Sequence, residues 1–107
     1  MIPVTITENA IKEIKNIMDN KSIPAEYGLR IGVRGGGGCS AAGMNYMLGF
    51  DKQKSTDKTF EIEGIPVYIE KSHVMYIIGM EIHFHDSNEA RGFMFVNPET
   101  KEEKAVG

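Results

Sequence analysis

In a series of short runs between Leu29 and Phe95 apolar residues recur at every second position, whereas the stretch before Asn20 repeats at spacings of three and four. That change of period restricts the fold most, because a 3.6-residue period needs a helix with one apolar face and a period of two needs half-buried strands. Ala10, Ile11, Ile14, Ile17 and Met18 make the helical stripe, with Lys12, Glu13, Lys15 and Asn16 between them and Thr7 in the N-cap position. Asp19-Asn20-Lys21-Ser22 and Pro24 end it. Leu29, Ile31 and Val33 then alternate with Arg30, Gly32 and Arg34, and both arginines read first as a solvated strand face, with a subunit partner or the glycine loop as the alternative they face. Met44, Tyr46, Leu48 and Phe50 alternate in the same way, and Asp51 to Lys58 reads as a loop. Phe60 and Ile62, then Ile65, Val67 and Ile69, flank Gly64 as a hairpin, and Pro66 is expected at an edge or bulge because it cannot donate to a ladder. Ser72 is placed to cap a short helix through about Ile78, stopped by Gly79. Ile82 and Phe84 follow, then a polar turn from Asp86 to Gly92, then Phe93 and Phe95. The expected fold is a β-rich α+β domain of two small sheets packed face to face, with a long N-terminal helix and one short helix.

Composition narrows the function. A chain of 107 residues reads as one domain, 1–107, able to bury a core without disulfide or metal. With 15 acidic against 12 basic residues, and no Lys/Arg cluster, nothing is available to neutralise phosphates, so nucleic acid is not an expected partner. The apolar stretch Val74 to Met80 is too short to span a bilayer, so no membrane partner is expected. Met1-Ile2-Pro3-Val4-Thr5 shows no charged segment followed by an apolar run, so no secretory signal is read. The single cysteine agrees with a reducing compartment, and the chain reads as cytoplasmic.

That cysteine, Cys39, follows four glycines, Gly35 to Gly38. Glycine has no Cβ and tolerates positive φ, so backbone and thiol can approach a ligand closely there. A core cysteine does not need such an approach, whereas a metal-binding or nucleophilic thiolate does. The Walker A spacing is absent. Gly36-Gly37-Gly38-Cys39-Ser40-Ala41 fits a relaxed G-x-G-x-x-A pattern, but a strand rather than a helix follows it, so the match is set aside. None of His73, His83 and His85 is paired with Cys39 by sequence, and no base, nucleophile and oxyanion donors can be assembled, so enzymatic turnover is not expected.

Glu81, His83 and His85 offer another chemistry. Residues two apart in a strand share a face, and two imidazoles with a carboxylate suit zinc, iron or nickel. The plain alternative is a solvated strand face. His73 reads as a cap or surface residue. Met44 and Met47 are thioether candidates beside the loop, the methionines otherwise serving as core filler. Glu102-Glu103 lies in a charged tail expected to be mobile.

Val4-Thr5-Ile6-Thr7, Gly28-Leu29-Arg30-Ile31-Gly32-Val33, Gly37-Gly38-Cys39-Ser40, then Tyr46, Leu48 and Phe50 follow one another in an order that resembles the A-type iron-sulfur carriers, the HesB/IscA-like family. The likeness continues through Gly64-Ile65-Pro66-Val67, Gly79 to Phe84, and Gly92-Phe93-Met94-Phe95-Val96-Asn97-Pro98, the family's G-F-x-F-x-N-P signature. It implies a small pseudo-barrel or sandwich capped by the N-terminal helix, and a role in assembling iron-sulfur clusters or passing them to apoprotein clients. It also implies a homo-oligomer, or a heteromer with a complete A-type carrier.

The resemblance assigns Cys39 as a cluster or iron ligand, with Gly37, Gly38 and Ser40 around the bound group. Two departures accompany it. The family's closing C-x-C pair falls on Lys104 and Val106 when counted from Asn97-Pro98 without gaps, and Ala41-Ala42 reads as an insertion ahead of Gly43. A cluster normally needs four protein ligands, chiefly thiolates. Lysine is protonated at neutral pH and valine donates nothing, so this chain alone is not expected to hold a cluster stably. A carrier with an incomplete ligand set is the leading reading, followed by a His/Glu divalent-metal module and by a purely structural interaction domain.

Overall fold

The computed structural model describes residues 2–34, 45–89 and 91–106. Strand β1 (Thr5–Ile6) is short and runs straight into helix α1 (Glu8–Asn20). Thr7 is its N-cap, its hydroxyl oxygen accepting from the Ala10 N–H at 3.3 Å. Ala10 and Ile14 are fully buried, and Ile11 and Met18 pack against the core. The helix closes where the Lys21 N–H donates to Ile17 O at 2.9 Å and Ser22 turns left-handed at φ 53°.

The alternating segments become β2 (Tyr27–Arg34), β3 (Asn45–Lys52), β4 (Asp57–Ile62), β5 (Ile65–Glu70), β6 (Glu81–Asp86), β7 (Arg91–Val96) and β8 (Glu103–Ala105). They form two four-stranded sheets, ordered β1-β6-β7-β8 and β3-β2-β5-β4. Leu29, Ile31 and Val33 of β2 share one apolar core with Val67 and Ile69 of β5, Ile82 of β6 and Phe95 of β7. The rings of Tyr46 on β3 and Phe95 on β7 stack with centroids 4.8 Å apart. The two packed sheets capped by an N-terminal helix are thus the architecture observed.

Four local expectations are corrected. Pro66 sits in β5, which is an inner strand, paired to β4 on one side and β2 on the other. It is accommodated because the two-residue turn Glu63-Gly64, at φ 51° and 81°, makes Ile62 and Ile65 the closing pair of the hairpin. Alternation then leaves the Pro66–Glu61 pair without ladder hydrogen bonds, and pairing with β2 starts only at Val67. Ser72 makes no capping hydrogen bond to the 3-10 turn Lys71–His73 or to α2 (Val74–Ile77), although Gly79, at φ 85°, does stop the helix. The loop expected over 51–58 shrinks, since β3 runs to Lys52 and β4 begins at Asp57. The tail expected to be mobile forms β8, placing Met94, Phe95 and Val96 opposite Ala105, Lys104 and Glu103. Asn97 makes that return possible: its side-chain oxygen accepts from the Glu99 N–H at 2.9 Å, and its backbone N–H donates to Glu102 O at 2.9 Å.

Arg30 departs from its expected solvated face. Its guanidinium grips the carboxylate of Asp57 with two hydrogen bonds, of 2.7 and 2.6 Å, and also donates to Lys52 O at 2.8 Å. Asp57, with its side chain fully covered, accepts a further bond from the Lys54 N–H at 2.7 Å. Partnered burial of this kind is what a charged group requires. Arg34, the other arginine, is exposed.

The Arg30 hydrogen bonds hold the Asp57 carboxyl below its ordinary range, assisted by the Lys54 N–H and opposed by burial. A lowered folded pKa favours the fold fully above the unfolded carboxylate value, about pH 4, and that contribution disappears as pH falls through the depressed value. Asp57→Asn is therefore expected to cost about 2 kcal/mol at pH 7 and to flatten the loss of stability below about pH 4. Urea midpoints measured from neutral to acid pH check both; a variant tracking wild type throughout would show that the pair contributes nothing.

Candidate functional site

Gly37, Gly38, Cys39 and Ser40, together with Met44, lie outside the described residues. The chain around them is built from β2, which leads into residue 35, and β3, which begins at Asn45; the two pair antiparallel with Arg34 opposite Asn45. Two contacts define the described end of this ribbon.

The first is His73. Its ring lies against Gly32, where an added Cβ would meet Nδ1 at 2.9 Å. The Val33 N–H donates to Nδ1 at 3.4 Å, which leaves the proton on Nε2, 3.1 Å from Glu70 Oε2. His73 occupies the N-cap position of α2 as expected, with no side-chain capping bond there; its ring is instead a wedge between the 3-10 turn and β2. Beside it lies a hollow of about 130 Å³ whose lining includes Met47 and Lys54.

The second contact comes from the other sheet. Lys104 on β8 carries its ammonium over the Tyr46 ring, 5.7 Å from the centroid, while that ring stacks on Phe95. This is cation–π geometry. Val106, two residues on, packs against the core, and its N–H donates to Phe93 O at 3.3 Å. Both positions are engaged in packing, and neither offers a sulfur or a free lone pair.

Glu81, His83 and His85 share a face of β6 as their spacing requires, but they do not gather around one point. His83 Nε2 lies 2.9 Å from Glu81 Oε1, whereas His85 Nε2 lies 3.4 Å from Glu103 Oε1 on β8. Each imidazole has its own carboxylate. Among the described residues no group of three or more His, Cys, Asp or Glu is placed to hold a metal ion.

His73 and Tyr46 were not singled out as site-shaping residues by sequence. For His73 the usable signal was Gly32, a small residue inside an otherwise well-filled strand, which often marks close approach by another group. Tyr46 stands in the sequence on the apolar side of an alternating run and among the residues that carry the family resemblance, neither of which indicates its contact with Lys104.

The geometry can be compared with known proteins. A model of the iron-sulphur cluster biosynthesis family matches residues 2–107. The chain belongs to that family, which sets its role in iron-sulfur cluster assembly and carriage. It is 34% identical over 105 residues to the iron-binding protein IscA of Enterobacter sp. (strain 638), covering 97% of this chain and 94% of that one. The crystal structure of Escherichia coli SufA, involved in biosynthesis of iron-sulfur clusters, is similar with a TM-score of 0.69 and 25% identity, covering 90% of this chain and 86% of that one. A structure of IscA with the 2Fe-2S cluster shares the fold, with a TM-score of 0.66 at 24% identity over 89% of this chain and 82% of that one. No helix among the described residues is long and apolar enough to cross a membrane.

Because the two imidazoles of β6 are engaged separately, zinc titration is expected to give the same isotherm for wild type and His83→Ala. A wild-type isotherm that vanishes in the variant would re-establish Glu81, His83 and His85 as a centre.

Proposed function

We propose that this chain is a carrier-type iron-sulfur protein with an incomplete ligand set. Cys39 contributes one thiolate to iron or a cluster bound transiently at a subunit interface, Gly37, Gly38 and Ser40 leave the approach clear, and a partner chain supplies the missing donors. The partner is a second copy or a complete A-type carrier, and the recipients are apoprotein clients. The chain acts as one domain, 1–107, in a reducing cytosol, where a lone thiol stays unoxidised, and it turns over no substrate of its own.

The observation that carries this reading is the contact between Lys104 and Tyr46. It joins β8, which bears the first of the two positions corresponding to the family's C-x-C pair and leads directly into the second, to β3, the strand that follows residues 35–44. A fold that draws these two segments together supports a site assembled from both. The residues now at the two positions, an ammonium on an aromatic face and a packed valine, argue against a complete set in one chain. Two copies supply two Cys39 thiolates where a cluster normally takes four ligands.

Anaerobic reconstitution of the purified chain with iron and sulfide is expected to leave no persistent charge-transfer absorbance. A stoichiometric cluster surviving desalting would overturn the incomplete-set reading. Lys104→Cys/Val106→Cys returns sulfur to both positions and should raise retained iron and acid-labile sulfide several-fold over wild type, an increase that a further Cys39→Ser change removes. If the double variant retains no more than wild type, with its fold intact by circular dichroism, the C-terminal positions are not where the lost donors belong.

A further inference from the structure

Past Arg30, the edge of β2 that meets β5 has no strand beside it among the described residues. The parallel ladder sets Leu29 opposite Val67 and Arg30 opposite Tyr68; β5 then ends at Glu70 and the chain turns away through Lys71–His73. Val33 is buried, and a buried backbone N–H needs an acceptor. His73 supplies one, its Nδ1 3.4 Å from the Val33 nitrogen. The imidazole thus does for the end of β2 what a longer β5 would have done, in the strand that leads into residue 35.

Two features seat the ring. Gly32 makes room for it, since a Cβ there would meet Nδ1 at 2.9 Å and Cε1 at 3.5 Å, and Glu70 holds its far side, Oε2 lying 3.1 Å from Nε2. Only the neutral ring with its proton on Nε2 satisfies both neighbours, because Nε2–H donates to the carboxylate while Nδ1 keeps a lone pair for Val33. A second proton alters one contact and spares the other. Nε2–H still reaches Glu70, whereas Nδ1 becomes a donor aimed at a donor. The hollow of about 130 Å³ beside the ring gives it space to turn away from Val33 without leaving Glu70.

We propose that His73 is a proton-operated latch on β2: neutral, it holds the end of the strand against the 3-10 turn, and protonated, it releases Val33 while staying tethered to Glu70. The surrounding charges leave this response to the ring. Arg30, reaching in from β2, is held by Asp57 and Asp51. Lys54, from the connection between β3 and β4, lies 3.6 Å from Asp51, and Glu70, at the end of β5, is the carboxylate on the ring itself. Arg34 is exposed two residues beyond Gly32, and the turn and α2 add only Lys71 and Tyr76 as titratable groups. The latch governs how firmly the strand entering residue 35 is held, and it uses no thiol and no metal.

Nitrogen NMR and amide hydrogen exchange of the full chain test this at about pH 8 and about pH 5, which bracket the range in which imidazoles change charge. At the higher pH the His73 ring is expected to show a bare Nδ1 and a protonated Nε2, with the Val33 amide protected. At the lower pH Val33 protection, taken relative to Arg30 and Gly32, whose N–H groups point to the β3 side, should fall about tenfold or more. His73→Asn puts a non-titrating acceptor, Oδ1, in the place of Nδ1 and should keep Val33 protected at both pH values, whereas His73→Phe fills the space without an acceptor and should leave it unprotected at both. Equal relative protection of Val33 at the two pH values in wild type would overturn the proposal. So would the opposite tautomer at the higher pH, or a fall of the same size in His73→Asn. None of these readouts involves iron, so failure here and failure of the reconstitution outcome are separate results.

Discussion

Phe95 is the residue on which both sheets depend. Fully buried, it lies opposite Ile82 on one neighbouring strand and Lys104 on the other, and its ring stacks on Tyr46 from the opposing sheet. A side chain of this size accounts for several kcal/mol of apolar burial wherever it is placed. Here it also fixes the distance and facing of the two layers. Lys104, its neighbour on β8, carries its ammonium over the same Tyr46 ring.

The same position shows how much of the fold was legible. Alternation alone placed Phe93 and Phe95, Ile82 and Phe84, and Leu29, Ile31 and Val33 in strands, because one buried face imposes period two regardless of which strand pairs with which. Strand order was not legible. The parallel pairing of β1 with β6 and of β2 with β5 joins segments far apart in the chain, and nothing in either segment's own pattern encodes its neighbour. Arg30 was misread for a related reason: it occupies the alternate face of β2, which periodicity marks as solvated, but Asp57 arrives over it from β4 through tertiary pairing.

For the site, legibility divided between chemistry and placement. Cys39 and its glycines stand out in sequence because the residue types are rare and contiguous. Glu81, His83 and His85 stand out equally, yet sharing a strand face brings residues only to about 7 Å spacing along it, and convergence on one ion needs side chains that turn inward together. Their carboxylate partners, one on the same strand and one on β8, draw the imidazoles apart. His73 is the reverse case, inconspicuous in sequence and closely engaged in the structure, because its role depends on the absence of a side chain at Gly32 in a different element.

The C-terminal strand is held in place by the side chains at positions 104 and 106. A thiolate pair at 104 and 106 would have to remain accessible to its cargo, which limits how tightly that strand can pack. With lysine and valine in those places the strand closes against the sheet: the Lys104 ammonium lies over the Tyr46 ring, Val106 packs half-buried against the core, and the Asn97 turn returns the chain at the observed register. The cation–π contact and the half-buried Val106 side chain together contribute on the order of 1–2 kcal/mol, a noticeable share of the roughly 5–15 kcal/mol that typically separates folded from unfolded states. A substitution at either position therefore acts on the closure of the fold as well as on any chemistry placed there.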